Sequence, residues 1–425
     1  MKKLLAAVAA LTFLAVLFGV VSRGPVRTPP SAWLMLPDGS SNRIVAATYG
    51  TNHLIGPPLG RMMARLPQAV QDELPTLIHR TETPQPALVV WIEHRASPGI
   101  PPPAFGAAYE RLSDGDGFIS GPQNSPVGCF GTLDIGPALF ESFPRRDPRL
   151  TVHFFYRLPT GQVTNCGSLQ FPNPLHCAYP EWQPESLPAK KVTSDFEVTL
   201  LAVRTINDNT RVDLRLPPPA SGLTWQVVGV ECSDATGNSI RNYPMNWSGR
   251  GNDIGFSLQS VLWPSEKAWK LKFEIARTSG FTPDNLLTFK NVPLGPVNSS
   301  SAVGWTTNIA GVTLALEGIT RRPPNTSASN NPVPASIVKF TNSPLPAGTR
   351  LDLLLVAYDQ GTTNQSESFS SSQTERNYAL SRIPLDAKTA DFTFAVHQSR
   401  FVEFTVHPEL PTPATNPAGR YAPDF

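Results

Sequence analysis

The stretch "PSEKAWKLKFEIAR" (Pro264–Arg277) alternates almost without error in its second half. Trp269, Leu271, Phe273 and Ile275 are apolar, and Lys270, Lys272 and Glu274 between them are charged. Period-two alternation marks a half-buried antiparallel strand with one wet face. The same phase recurs upstream in "PRRDPRLTVHFFYR" through Leu150, Val152, Phe154 and Tyr156. It recurs downstream in "PLDAKTADFTFAVHQS" through Phe392, Phe394 and Val396. Each copy leads into a shorter strand that ends at a proline: "SLQFPNP" around Phe171, "LLTFKNVP" around Phe289 and "FVEFTVHP" around Phe404.

Two further signals precede each copy. Continuous apolar runs come just before, at Ala87–Arg95 ("ALVVWIEHR"), Trp225–Asn238 ("WQVVGVECSDATGN") and Leu351–Asn364 ("LDLLLVAYDQGTTN"). The last two feed turns whose Asp, Gly and Asn tolerate left-handed backbone. Earlier still lie "RIVAATY" (Arg43–Tyr49), "FEVTLLAVRT" (Phe196–Thr205) and "GVTLALEGIT" (Gly311–Thr320). Four signals in one order, three times over, predict three tandem β-sandwich units of immunoglobulin-like type, since about 100 residues suit such a unit. Composition agrees: 45 prolines and 30 glycines with only 16% charged residues favour short strands and turns over helices.

The units are expected at residues 32–174, 191–294 and 309–410, with linkers at 175–190 and 295–308 and a tail at 411–425. The first is longer because "PPLGRMMARLPQAVQDELPTLIHR" places Leu66, Val70 and Leu74 on one helical stripe broken at Pro67 and Pro75. That predicts a short helical insertion. "RRPPNTSASNNPVPAS" (Arg321–Ser336) reads as a long loop inside the third unit.

At the N-terminus, Lys2 and Lys3 precede an uncharged run from Leu4 to Val21, closed by Arg23 and Pro25. Eighteen residues at 1.5 Å rise span about 27 Å, enough for a bilayer core. Residues 1–22 therefore read as a single-span anchor, followed by a Pro-rich spacer at 23–31. A cleaved secretory signal is the competing reading. The flanking lysines keep the N-terminus in the cytoplasm and put the bulk of the chain outside it.

In that compartment Cys129, Cys166, Cys177 and Cys232 allow three disulfide pairings, among which sequence cannot choose. A net charge of +2 with scattered charges provides no footprint for nucleic acid.

Catalytic signatures are absent: there is no G-x-S-x-G, H-E-x-x-H, Walker loop or G-x-G-x-x-G. His153 and His397 fall on the wet parity of their strands and read as surface residues. A polar cluster of His53, Glu93 and His94 would be an enzyme site only if the strand ends that carry them converge. Asp114 and Asp116, two apart before Gly117, echo the start of a calcium loop but lack its later acid, so calcium is the one cofactor considered. Trp182, Trp247, Trp263 and Trp305 fall in turns or linkers, where an exposed indole stacks on a sugar or a partner.

The segments "LPDGSSNRIVAATYGTNH", "WKLKFEIARTSGF" and "SRFVEFTVHPEL" together resemble a group of exported, membrane-anchored bacterial proteins with Pro-rich, multi-unit β organisation. The resemblance implies a bacterial origin and a location outside the cytoplasm, and it carries over no active-site residue. The expected function is a non-enzymatic, envelope-anchored structural or interaction protein. Its partners would be the membrane, through the N-terminal helix, and envelope proteins or glycans. A glycan-binding protein of the envelope and an extracytoplasmic enzyme with its site in the first unit are the alternatives.

Overall fold

The structure is a computed structural model. It describes residues 31–55, 79–97, 108–115, 118–120, 135–157, 162–193, 196–206, 209–218, 223–242, 244–250, 252–259, 262–322, 336–358, 361–363, 367–371, 374–380, 383–384 and 386–409. The expected anchor, the spacer up to residue 30, the helical insertion, Cys129, Asp116, the 323–335 loop and the tail lie outside them. Among the described residues no helix is long and apolar enough to cross a membrane. Six antiparallel sheets, paired around three apolar cores, make up the rest.

The first sandwich is built from β1 (Leu34–Met35), β2 (Ser41–Ile55), β3 (His79–Arg95), β4 (Ala108–Ser113), β5 (Ile119–Ser120), β6 (Ile135–Phe140), β7 (Arg149–Arg157) and β8 (Val163–Pro172). Its sheets run β1-β2-β3-β6 and β5-β4-β7-β8. Leu88, Val90 and Ile92 from one meet Leu112, Val152, Phe154 and Phe171 from the other. The apolar run at Ala87–Arg95 is continuous because both of its faces are closed: Val89 and Trp91, on the side away from that core, are buried as well. It belongs to the sheet of β2, to which it is hydrogen-bonded.

The second sandwich uses β9 (Ala189–Val192), β10 (Glu197–Ile206), β11 (Asn209–Arg215), β12 (Trp225–Asp234), β13 (Ser239–Asn242), β14 (Met245–Arg250), β15 (Asp253–Gln259) and β16 (Trp269–Arg277). The third uses β17 (Leu286–Pro293), β18 (Ser299–Ile309), β19 (Val312–Arg321), β20 (Ser336–Asn342), β21 (Thr349–Tyr358), β22 (Gly361–Thr363), β23 (Glu367–Ser371), β24 (Glu375–Leu380) and β25 (Thr389–Gln398); β26 (Arg400–Val406) is the last described strand. In both, the apolar run preceding the alternating strand (β12, β21) begins the opposite sheet. The counterpart of these runs in the first unit is therefore β4, not Ala87–Arg95.

The last strands are exchanged. In the first unit β8 pairs with its predecessor β7. By analogy β17 would pair with β16, and β26 with β25. Instead β17 pairs with β25, and β26 pairs with β16, giving sheets β17-β25-β21-β22 and β13-β12-β16-β26. Val402, Phe404 and Val406 of β26 fill the second core, and Phe289 and Val292 of β17 fill the third. Burying each such side chain contributes roughly 1.5–3 kcal/mol. The unit boundaries drawn from the sequence are corrected accordingly: residues 286–293 belong to the third unit and 400–406 to the second.

Neither expected linker is a free tether. Residues 299–309 form β18, hydrogen-bonded to β19. Along 175–188 the chain lies as a strap: Glu185 N–H donates to Thr405 O (2.7 Å) and Thr405 N–H to Glu185 Oε1 (3.1 Å). The strap covers the open edge of β26, which would otherwise be a template for another strand.

The first two sandwiches meet over the "DATGN" turn. Asp234 Oδ1 accepts from Thr236 N–H (2.9 Å) and Asn238 N–H (3.2 Å), and Gly237 takes φ +91°. The ordered turn presents Asn238, whose Nδ2 donates to Phe143 O (2.9 Å) and whose Oδ1 accepts from Arg145 Nε (3.0 Å). Arg145 also donates to Thr236 O and to the Tyr49 hydroxyl. Trp263, from the second unit's segment, inserts into the first unit's core edge-on to Phe118, with ring centres 5.6 Å apart.

Candidate functional site

The exchange gathers charged side chains at the border of the second and third sandwiches. Glu274 stands on the charged parity of β16, yet it is only 9% exposed because the third unit closes over it. Its Oε1 accepts from Ser399 Oγ (2.8 Å) and Arg350 Nη1 (3.2 Å), and its Oε2 from Arg241 Nη2 (3.0 Å). Arg350 turns its other nitrogens on Asp352, with Nη2 to Oδ1 at 2.9 Å and Nε to Oδ2 at 3.2 Å. His397 Nε2 donates to Asp352 Oδ2 at 2.8 Å. Burial opposes the Asp352 charge, but the His397 hydrogen bond and the Arg350 guanidinium together hold its carboxyl down to about 2.

This chain of groups joins the two sandwiches. Ser399 Oγ donates to a carboxylate, while the imidazole of His397 is held by Asp352 through Nε2 and packs 5.0 Å from the Phe281 ring centre. His397 is not the surface histidine its parity implies. Its strand runs into the seam, and it is 8% exposed. His153 is half-buried, with Nε2 2.9 Å from Ser113 Oγ, and burial lowers its pKa.

Beside the joint opens a cleft of about 430 Å³ between the two units. Arg241, Lys272 and Glu231 line it from the second unit, Phe401 from the exchanged strand, and Arg376 and Thr349 from the third. A smaller cleft of about 250 Å³, lined by Phe281, His397 and Arg400, lies at the same junction.

The polar residues singled out by sequence do not converge. His53 pairs with Thr81 on β3, whereas Glu93 pairs with Arg43, ten residues earlier on β2. At 3.3–3.4 Å rise per residue the two positions are about 33 Å apart. His53 is buried, its Nδ1 2.9 Å from Thr48 Oγ1, and burial lowers its pKa. Glu93 is paired with Arg43, and His94 Nδ1 sits 2.8 Å from Asn42 Oδ1.

Asp114 is buried and uses Oδ1 to accept from Phe118 N–H (2.8 Å), which closes its turn. Among the described residues no three His, Cys, Asp or Glu side chains form a group able to hold a metal. Cys166, Cys177 and Cys232 are free thiols, Cys232 being buried in the second core.

The tryptophans divide. Trp263 is a core residue, so it offers no platform. Trp182 is half-buried with Lys270 Nζ 4.7 Å from its ring centre. Trp305, on β18, is 38% exposed, and Trp247 lies in β14. Trp182, Trp263 and Trp305 do not line the cleft, whose aromatic is Phe401, 47% exposed. Sequence reasoning missed Glu274, Arg350, Asp352 and Phe401 because each looks like an ordinary strand residue until the units are joined.

One buried acid stands apart from both clefts. Glu110 on β4 is 3% exposed, and burial pushes its carboxyl up to about 7, against a hydrogen bond from its own N–H.

No family model matches the chain, and neither the curated proteins nor the solved structures contain a significant match to it.

Proposed function

We propose that the chain is a non-enzymatic structural or interaction protein, held at a membrane by residues 1–22 and presenting three immunoglobulin-like sandwiches outside the cytoplasm. The observation that carries this reading is the exchange of β17 and β26, which stitches the second and third units together. Two strands cross the border, so the units cannot swing apart without breaking a sheet. A rigid array suits a spacer or docking body better than a catalyst that must open and close.

The strand order supports the immunoglobulin-like reading. In the second unit β10-β11-β15-β14, with β9 added beside β10, faces β13-β12-β16-β26. Apart from β9, the order is like the A-B-E-D and C′-C-F-G sheets of such sandwiches. The third unit repeats it as β19-β20-β24-β23, with β18 added beside β19, and β22-β21-β25-β17, the last strand coming from upstream.

The test joins fractionation with proteolysis. The tagged full chain is expected in the membrane fraction, degraded by protease added from the non-cytoplasmic side only at high doses. Recovery in the soluble cytoplasm overturns the location. Early cutting within residues 278–285, between the second and third units, overturns the rigid array.

A further inference from the structure

We propose that the cleft between the second and third sandwiches binds a short saccharide. Its walls come from two units, but the Ser399–Glu274 and Arg350–Glu274 contacts fix them relative to each other, so the cleft is preformed. Its volume of about 430 Å³ falls within the range of small-ligand sites, about 300–1,000 Å³.

The lining selects the class of ligand. Arg241, Lys272 and Arg376 only donate hydrogen bonds, and Glu231 only accepts them. A compact anion would meet the Glu231 and Glu274 carboxylates of the lining, and an apolar ligand would strip water from Lys272 and Glu231 without replacing it. Vicinal hydroxyls donate and accept at once, so they satisfy both signs.

One donor has capacity left. Arg376 spends Nη1 on Leu351 O (3.0 Å), and its Nε is buried out of reach of a ligand. Lys272 Nζ lies 5.3 Å from the Phe401 ring centre and makes no ion pair among the described residues. Phe401 supplies the apolar surface. The residue is 47% exposed beside Lys272, placed to take the C–H face of a pyranose.

The proposal does not depend on membrane anchoring, and it is tested by titrating the folded chain with tri-galacturonate, cellotetraose and chitotetraose. Ligand-observed NMR and calorimetry provide the readout. Binding of at least one oligosaccharide is expected, weakened about three- to tenfold by Phe401→Ala and likewise by Lys272→Ala. Melting temperatures of both variants should match the parent, because both side chains stand largely in solvent. Preference for tri-galacturonate would identify an acidic sugar, whose carboxylate meets Lys272; preference for the other two would identify a neutral one. Absence of binding by all three up to about 10 mM, or binding that both variants leave unchanged, overturns the proposal.

Discussion

Ser399 Oγ donates a 2.8 Å hydrogen bond to Glu274 Oε1. Ser399 is the single residue between β25 and β26, and Glu274 sits within β16 of the neighbouring sandwich. The bond therefore pins the crossing point of the exchanged chain to the sheet it joins.

Glu274→Ala removes the acceptor shared by Ser399, Arg350 and Arg241, and leaves Arg350 partly buried with Asp352 alone. Losing charge-assisted hydrogen bonds of this kind costs about 2–4 kcal/mol. A urea titration should show that loss. Because the seam is shared, the second and third sandwiches should lose stability together. A loss confined to one of them would contradict the joint.

A chain truncated after Gln398 lacks β26 but keeps every strand of the third sandwich. Hydrogen exchange should show protection lost in β12 and β16, where Val402, Phe404 and Val406 fill the core, and retained in β21 and β25. The opposite pattern would mean that β26 completes the third unit.

Asn238→Ala cuts the polar plug between the first and second sandwiches. Phe143 O, Arg145 Nε and Asp234 Oδ2 each lose a partner in a buried seam. A destabilisation of about 2–4 kcal/mol is expected. Calorimetry should show the first sandwich melting as a separate transition. A single unchanged transition would argue against coupling through this turn.

Glu110 makes stability fall with rising pH. Its folded pKa of about 7 lies above the value for an unfolded chain. The unfolded state thus releases the proton first. The stabilisation of the protonated form is complete below about pH 4 and is lost as pH rises through about 7, a change of about 3 kcal/mol. Glu110→Gln should flatten the dependence of the urea midpoint between pH 5 and 8. A variant that tracks the parent across that range would remove Glu110 as its source.

The candidate site was much less legible than the strands. His53, Glu93 and His94 drew attention as polar residues at apparent strand ends, but register sends them to opposite ends of one long hairpin. Trp263 looked like an exposed indole because its local segment is a turn, and only packing between units shows that it is core. Phe401 and Glu274 carried no local signal, since exposed aromatics and strand carboxylates are common. The sequence does carry one signal of the exchange. A single residue separates "TADFTFAVHQ" from "RFVEFTV", and an antiparallel hairpin needs a connection of about two residues or more. The chain had to carry β26 into another sheet.

The amino-acid sequence by itself determined that the sandwich units are all-β, where their alternating strands lie and which face of most of them is apolar. Alternation encodes which side of a strand is buried, because successive side chains point to opposite faces. It does not encode the partner. "LLTFKNVP" and "RFVEFTV" present similar apolar phases, and either would satisfy the edge beside β16 or β25. Tertiary structure decided that exchange, and with it the buried joint at Glu274 and the cleft beside it.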